Sequence, residues 1–151
     1  MAQLPPPPDD LAYGDVVLRC DRIVMALSDP RYAPYYHFHI HNEQGTELGH
    51  INFRVGDSEH ITLVAGHIGY AIHAEQRGHG YAAQACHAIR PWVRPFYDEV
   101  WITCDPQNAA SRRTIEKLDT RYVDTINIPE HEQQYQLGAR QKCRYRWRVT
   151  G

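Results

Sequence analysis

The chain has 151 residues, a formal net charge of −2 and a mean hydropathy of −0.59. That length fits one domain with a sizeable core, and the small net charge predicts no general attraction to nucleic acid or to membranes. No apolar run approaches the length of a membrane span, and the N-terminal pattern is unlike a secretion signal, so we expect a cytoplasmic protein. The 4 cysteines contain no C-x-x-C pair and are expected to be reduced.

The first half of the chain alternates β-rich runs with turn residues. Residues 1–12 include four consecutive prolines and are predicted to be a disordered tail, which leaves residues 13–151 as a single domain. This half is predicted to contain four strands, at residues 15–27, 35–41, 48–55 and about 61–72. Gly66, within the last run, predicts a bulge or a break in that strand.

The second half adds helices to the pattern. Two helices are predicted, at residues 81–90 and 109–118, and three strands, at 99–104, 121–127 and 141–149. Pro91 should kink or end the first helix, and Asn108 can cap the second. The last strand carries arginines that we expect on the solvent face of a sheet edge: Arg144, Arg146 and Arg148. Together these elements indicate an α+β domain with about seven strands.

Two glycines stand one residue apart where the fourth strand joins the first helix. Gly78 and Gly80 allow the backbone to approach a ligand closely. The first amides of a helix have no intrahelical partner and carry the positive end of the helix dipole, which suits a phosphate group. The sequence therefore predicts an anion site formed by the backbone amides of about residues 78–82.

The same turn resembles the signature of a known superfamily. Arg77-x-x-Gly80-x-Ala82 is similar to Arg/Gln-x-x-Gly-x-Gly/Ala, the motif with which the GNAT acyl-CoA-dependent N-acyltransferases hold the pyrophosphate of coenzyme A. The resemblance implies a cofactor-binding set around the turn: Arg77, Gly78, His79, Gly80, Tyr81 and Ala82. It also implies that the preceding strand pairs with the acyl-pantetheine arm through the backbone of Ala71, Ile72 and His73.

A second segment extends the resemblance. Residues 108–118 are similar to the Asn-x-x-Ser-x-x-x-x-Glu-Lys-x segment of the ribosomal-protein N-terminal acetyltransferase branch. In that branch the Asn contacts the pantetheine arm and the Ser lies near the acyl-transfer centre, which implies these roles for Asn108 and Ser111. The implied fold is a GNAT-like mixed, mostly antiparallel central sheet of about seven strands with helices packed on it. Because about eight residues join the first two strands, the first helices of that fold are expected to be shortened or missing.

The sequence also departs from the family pattern. Ile115 occupies the position at which many relatives carry a tyrosine general acid, so no acid is implied there. Residues 118–120 read Leu-Asp-Thr where the family usually has Leu-Gly-Phe, so the helix lacks its usual terminal glycine. In relatives the first helices form part of the acceptor site. Their absence implies an open acceptor cleft, or one completed by a partner chain.

The predicted function is direct transfer of an acetyl group from acetyl-CoA to a primary amine. Ser111 is the candidate that gives the leaving thiolate a proton or a hydrogen bond. His67 is the candidate general base, because imidazole titrates near neutral pH. The acceptor amine can belong to a small molecule or to a protein N-terminus. Homodimerisation through the terminal strands is a further hypothesis taken from the family.

Two other functions stay open at the level of sequence. A non-catalytic acyl-CoA-binding module on the same fold would explain why no general acid or base is assured. A His-rich metal site, loosely like a cupin, is suggested by the alternation of His37, His39 and His41, with His50 and Glu47 nearby. A plain polar face of a hairpin is the simpler interpretation of these histidines. A third interpretation is that they line the acceptor cleft. The acyltransferase interpretation itself assigns no metal ligand.

Overall fold

The computed structural model of the chain describes residues 4–25 and 34–151. Its strands are β1 (Ala12–Tyr13), β2 (Val16–Val24), β3 (Tyr35–His41), β4 (Glu47–Arg54), β5 (Ile68–Ile72), β6 (Glu99–Cys104), β7 (Arg121–Asn127) and β8 (Gln141–Arg148). Its α-helices are α1 (Tyr81–Val93), α2 (Ala109–Lys117) and α3 (Gln133–Gln136). No helix in the described ranges combines the length and the apolar character that a bilayer crossing requires.

The first sheet contains β1 to β5 in chain order, and each neighbouring pair is antiparallel. Its strands separate a buried face from an open one, as β3 shows. Tyr36, Phe38 and Ile40 are fully buried, whereas the intervening His37 and His39 are only partly covered. This alternation follows from the two-residue period of a strand, and it gives the sheet one apolar face.

Helix α1 covers the apolar face of the first sheet. Its Ala85, Ile89 and Val93 are fully buried in the common core. Of the two outcomes predicted for Pro91, a kink or an end of the helix, the structure rules out the end, because the last turn continues to Val93. Trp92 in that turn packs edge-on against the Tyr36 ring, with centroids 5.7 Å apart. Burial of this turn outweighs the backbone hydrogen bond that proline cannot donate.

The second sheet has the order β6-β8-β7, and both pairs are antiparallel. Strand β8 lies in the middle, which corrects the prediction that its arginines mark an edge strand. Arg144 donates to the Asp124 carboxylate at 2.7 and 2.8 Å, and Arg146 donates to Glu99 at 3.1 Å. Both guanidinium groups also lie over the Trp101 ring, 4.4 and 4.5 Å from its centroid. These two arginines therefore tie strands together rather than facing open solvent.

The two sheets meet at β5 and β6, which share no ladder in the described chain. A pair of hydrogen bonds joins them at one end. The amide of His67 donates to the Trp101 carbonyl at 2.8 Å, and the Trp101 amide donates to His67 Nδ1 at 3.0 Å. His67 is thus a tether between the sheets, placed one residue before β5 begins.

Gly66 breaks the long strand that the sequence predicts for residues 61–72. His60–Ala65 forms a short π-helical segment, and β5 begins only at Ile68. Gly66 has a φ of 74°, and a Cβ at this position would approach the Trp101 carbonyl oxygen to 2.9 Å. Only glycine satisfies both the backbone angle and the close approach, so the chain turns here and starts a new element.

Part of the predicted N-terminal tail is packed against the domain. Leu11 is 4% exposed within the core, and Ala12–Tyr13 pairs with β2. The Tyr36 hydroxyl donates a hydrogen bond to the carbonyl of Pro5. These contacts attach Pro5 and residues 11–13 to the domain, whereas Pro5, Pro6 and Pro8 are themselves exposed. A disordered tail over residues 1–12 stays a prediction.

The predicted α+β, mostly antiparallel arrangement is confirmed, with eight strands described where about seven were expected. Three strands match their predicted bounds, namely β3, β6 and β7. The predicted loss of the first helices concerns the connection after β2. Most of that connection, residues 26–33, lies outside the described residues, as does the predicted end of the first strand.

Candidate functional site

A cavity of about 340 Å³ lies between the end of β5, the N-terminus of α1 and the first turns of α2. We call it the cofactor cavity. Many of its lining residues were predicted from the sequence: Ala71, Ile72, Arg77, Gly78, Gly80, Tyr81, Ala82, Asn108 and Ser111. Others were not: Tyr70, Gln76, Ala110 and Thr114.

The glycine turn presents backbone amides to the cofactor cavity. Gly78 and Gly80 have φ angles of 89° and 75°, which favour glycine. A Cβ added at Gly78 would meet no atom within 4 Å, so the surface above the turn is open. Gly80 caps the 13-residue α1 without a side-chain hydrogen bond, and among the described residues the amides of 78–83 donate no hydrogen bond. Free amides at a helix N-terminus are the geometry expected of an anion site.

Two side chains fix the ends of this cavity. Arg77 donates from Nε to the Ile72 carbonyl at 3.1 Å, which holds the turn against the end of β5. Asn108 caps α2, because its Oδ1 accepts from the Ser111 amide at 3.1 Å. The cap orients the first turn of α2 so that Ser111 faces the cavity.

Two residues assigned to the cofactor by resemblance do not line the cavity. The His73 amide donates to the Leu48 carbonyl at 2.9 Å, and its imidazole lies 3.8 Å from the Glu47 carboxylate. Its backbone donor is therefore used in pairing with β4, so only its carbonyl could meet a pantetheine arm, and the predicted contact stays a prediction. His79 stacks its ring beside Tyr81, with centroids 5.3 Å apart, and contributes only its amide to the turn.

Tyr70 and Ser111 meet at the inner end of the cofactor cavity. Their hydroxyl oxygens are 2.9 Å apart, at hydrogen-bond distance. Burial, the largest cause, raises the pKa of the Tyr70 phenol above its usual range, so the phenol stays protonated at neutral pH. Both hydroxyl groups therefore carry their protons at neutral pH. They form a hydrogen-bonded pair in a partly buried position.

A second cavity of about 320 Å³ shares Tyr70, Asn108 and Ser111 with the first. We call it the side cavity. Its other lining residues come from β4, β5, β6, β8, α3 and the connections next to them: His50, Asn52, Arg54, Ala65, Ile68, Gly69, Thr103, Cys104, Asp105, Gln134 and Lys142. The two cavities therefore open on either side of the Tyr70–Ser111 pair.

The side cavity is polar and carries charges of both signs. Arg54 and Lys142 contribute two cations, and Asp105 contributes one carboxylate. Arg54 donates to the carbonyls of Ala65 and Gly66 at 3.3 Å rather than to an acid. Burial lowers the pKa of the Lys142 ammonium, because fewer water molecules can solvate its charge.

Cys104 also lines the side cavity, close to Ser111. Burial raises the pKa of its thiol to about 11. The thiol therefore stays protonated at neutral pH and is a poor nucleophile. A protonated thiol is compatible with the predicted direct transfer, in which no side chain carries the acyl group.

His67 cannot serve as the predicted general base. Its side chain is 2% exposed and lines neither cavity. Nδ1 accepts from the Trp101 amide, and Nε2 donates to the Gly56 carbonyl at 3.0 Å. Burial lowers the pKa of this imidazole, so it is neutral with both nitrogens occupied. The histidine holds the two sheets together instead.

Tyr70 is the functional candidate that sequence reasoning missed. The family position for a tyrosine acid is filled by Ile115, which is fully buried in the core. Tyr70 supplies a phenol from the strand instead, and its contact with Ser111 joins residues 41 positions apart. The available signal was its place between Ile68 and Ile72 in an alternating strand, a pattern that also describes a core residue.

The chain resembles known proteins in its sequence pattern and in its fold. A family model described as an acetyltransferase (GNAT) domain matches residues 5–121. No curated protein matches the chain. Among solved structures, RimL, a ribosomal L7/L12 alpha-N-protein acetyltransferase in complex with coenzyme A, is 17% identical with a TM-score of 0.60. The alignment covers 76% of this chain and 62% of that one.

Two further structures have the same fold. A ribosomal-protein-S5-alanine acetyltransferase from Vibrio fischeri is 16% identical with a TM-score of 0.60, over 76% of this chain and 62% of that one. The microcin C7 self-immunity acetyltransferase MccE, in complex with acetyl-CoA and AMP, is 16% identical with a TM-score of 0.59, over 76% and 61%. The chain thus spans less than two thirds of the length of these three structures.

These matches replace the cupin-like hypothesis, because the strands form two sheets joined at a tether rather than a barrel of that kind. The family model covers all five strands of the first sheet, the glycine turn, α1, β6 and α2. It includes every residue that the cofactor cavity and the side cavity share. The chain therefore belongs to the GNAT acetyltransferase family.

Proposed function

We propose that this protein transfers an acetyl group from acetyl-CoA to a primary amine in one direct step. The observation that carries the proposal is the meeting of two cavities at Tyr70, Asn108 and Ser111. A thioester in one cavity and an amine in the other would come together at these side chains. The bound coenzyme A of RimL and the bound acetyl-CoA of MccE support this choice of cofactor.

In this proposal acetyl-CoA lies along the cofactor cavity. Its pyrophosphate would rest on the free amides of residues 78–83, where the positive end of α1 offsets the phosphate charge. The pantetheine arm would follow β5 at Ala71 and Ile72, with Asn108 on the facing wall. That path brings the thioester to Tyr70 and Ser111.

The proposed chemistry uses the hydroxyl pair as the acid. A C–N bond forms between the amine and the acetyl carbonyl carbon, and the C–S bond of the thioester breaks. The thiolate takes a proton from the Tyr70 hydroxyl, directly or through Ser111. The amine loses a proton, and the Asp105 carboxylate on the side cavity is the acceptor that we propose for it.

The side cavity favours an acceptor that carries an anionic group near its amine. Two cations and one carboxylate line the cavity, so a bound carboxylate or phosphate would balance the charge. Within the described ranges, neither Arg54 nor Lys142 has a carboxylate at salt-bridge distance. An amino acid, an amino phosphate or an acidic N-terminal peptide has the required combination of groups.

The first test is calorimetric titration of the purified, metal-free chain with acetyl-CoA. We expect micromolar binding that desulfo-coenzyme A competes away. A thiol-release assay with a panel of amines follows, in which anionic and neutral amines of equal size are paired. Mass spectrometry then checks that the accepted amine gains one acetyl group.

The outcomes separate the alternatives. Binding together with thiol release from at least one amine supports an acetyltransferase. Tight binding without release over the whole panel supports the non-catalytic acyl-CoA-binding module instead. Absence of binding contradicts both functions, because both need the glycine turn to hold the cofactor.

A further inference from the structure

The open face of the first sheet carries histidines that acetyl transfer does not use. In β3 the fully buried residues alternate with His37, His39 and His41, which therefore project from the opposite face. Strand β4 adds His50 and Asn52 beside them, because His50 pairs with His39 and Asn52 pairs with His37. The result is a cluster of imidazole rings on one accessible surface.

Two of these rings are held in a defined orientation. His37 Nδ1 lies 2.6 Å from Asn52 Oδ1, and His39 Nδ1 lies 2.7 Å from Glu47 Oε1. Carbonyl and carboxylate oxygens only accept hydrogen bonds, so each imidazole carries its proton on Nδ1. In the neutral form of each ring, Nε2 is then the nitrogen with a free lone pair. Histidines that bind metals are typically held in this way, with the other ring nitrogen donating to an oxygen.

A β-bulge brings an acidic side chain to the same place. The register between β2 and β3 shifts between Cys20 and Arg22, which makes Asp21 the extra residue. Asp21 Oδ2 lies 3.6 Å from His39 Nε2. One ligand atom from each of Asp21, His37 and His39 lies within 4.8 Å of the others.

We propose that Asp21, His37 and His39 bind one divalent transition-metal ion, with zinc as the best match. Zinc bonds to nitrogen and oxygen of about 2.0–2.1 Å put tetrahedral ligand atoms about 3.4 Å apart, so small side-chain rotations would complete the site. Two imidazole ligands favour zinc-like ions over magnesium or calcium, which prefer oxygen ligands. Glu47 and Asn52 hold the ligand rings, and one coordination position stays open.

The surroundings of the site agree with this assignment. Arg22 is the cation beside Asp21, at 3.7 Å, and both side chains are largely exposed. Such a surface ion pair is weak and leaves the carboxylate available. Asn52 also lines the side cavity, so the ion would lie beside the place where the acceptor amine is proposed to bind. Metal binding itself does not depend on acetyl transfer.

The test uses the full chain without a histidine tag, freed of metal by a chelator. Zinc titration by calorimetry should show one ion per chain with micromolar or tighter affinity. Cobalt titration should give the visible absorption of a tetrahedral site with nitrogen and oxygen ligands. We expect the double variant H37N/H39N to lose at least about 100-fold in zinc affinity, and E47Q about 10-fold.

Controls keep the test interpretable. His131→Gln changes an exposed histidine outside the sheet, 56% exposed in the described structure, and should leave zinc affinity unchanged. Asp21→Asn, at an exposed bulge, gives a ligand variant if the double variant does not fold, as judged by circular dichroism. Absence of zinc binding to the native chain would overturn the proposal. Weak binding of several zinc ions per chain that persists in folded H37N/H39N or D21N would also overturn it.

Discussion

The two cavities of this protein share Tyr70, Asn108 and Ser111 but are built in different ways. The cofactor cavity is mainly backbone: the end of β5, a glycine turn and the first turns of two helices. The walls of the side cavity are mainly side chains brought together from β4, β6 and β8, such as Arg54 and Lys142. The glycine turn and helix N-terminus of the first cavity are local structures that α2 completes, whereas the second cavity exists only after the sheets pack.

This difference predicts which substitutions affect which ligand. A backbone site is damaged where a side chain covers its amides, whereas most side-chain changes around it matter little. A side-chain cavity responds to the loss of individual charges and hydroxyl groups. Variants at the two sites should therefore separate cofactor affinity from acceptor use and from the chemical step.

The largest effect is expected from Gly80→Val. A β-branched side chain at a φ of 75° would stand over the amides that we propose for the pyrophosphate. We expect acetyl-CoA affinity to fall by about 100-fold, or ~2.7 kcal/mol, as measured by calorimetry.

Gly45→Val is the matched control for this change. Gly45 lies in the hairpin turn after β3 with a φ of 87°, and a Cβ there would meet no atom within 4 Å. It therefore carries similar backbone strain at a distance from the cavity. Both variants should lose thermal stability, but only the Gly80 variant should lose affinity. Equal losses of affinity would show that the turn acts through stability alone.

Tyr70→Phe tests the point at which the two cavities meet. The change removes the hydroxyl that contacts Ser111 and leaves the ring in place. We expect kcat to fall about 100-fold, the lower range for general acid catalysis, with acetyl-CoA affinity unchanged. Ser111→Ala should give a smaller loss of kcat in the same assay.

Tyr122→Phe is the control for the loss of a phenol. Tyr122 is 52% exposed on β7, and its hydroxyl contacts Thr125 rather than either cavity. Its kcat should equal that of the native chain. An unaltered kcat for Tyr70→Phe would remove the hydroxyl pair from the mechanism and leave it a structural contact.

Features formed by residues close in the chain could be predicted from the sequence, whereas contacts between distant residues could not. The glycine turn, the Asn108 cap and the strands β3, β6 and β7 are specified by residues close in the chain, so local patterns located them. Tyr70 could not be found in this way, because its partner Ser111 is 41 residues away.

His67 shows the opposite error, in which a local argument chose the wrong role. A histidine near a predicted site is a reasonable base, and nothing nearby in sequence shows that Trp101 and Gly56 occupy both its nitrogens. Gly66 predicted either a bulge or a break, but the strand composition of residues 61–72 could not show which of the two occurs. The cause of the break is the close approach of β6, a tertiary contact.

Lys142→Gln tests whether the side cavity selects anionic amines. The ammonium is one of two cations lining the side cavity. Partial burial removes part of its hydration, which a bound anion would replace. We expect KM for anionic amines to rise about 10-fold, or ~1.4 kcal/mol, with little change for neutral amines. Lys117→Gln, an exposed lysine at the end of α2, is the control and should change neither value. A parallel rise for neutral amines would contradict selection by charge.

The last effect concerns the tether between the sheets, and it changes stability rather than activity. Burial lowers the pKa of His67 below its ordinary value of 6.5, and the exposed Asp57 carboxylate at 3.7 Å only partly opposes this. Below pH 6.5 the unfolded chain therefore binds a proton that the folded chain resists. Stability should fall as the pH drops toward the lowered pKa of the folded state, by at most about 1.4 kcal/mol per pH unit from this group.

Urea unfolding of the native chain and of His67→Gln between pH 7.5 and 5 measures this contribution. The variant should be less stable at pH 7.5, by about 1–3 kcal/mol, because it makes the hydrogen bonds to Trp101 and Gly56 less well. Its stability should also fall less steeply with acid, since glutamine does not titrate. His131→Gln should keep the native slope, because that side chain is exposed. If the free energy of unfolding of His67→Gln falls with acid as steeply as that of the native chain, keeping His67 neutral costs no free energy. Other groups would then cause the loss of stability in acid.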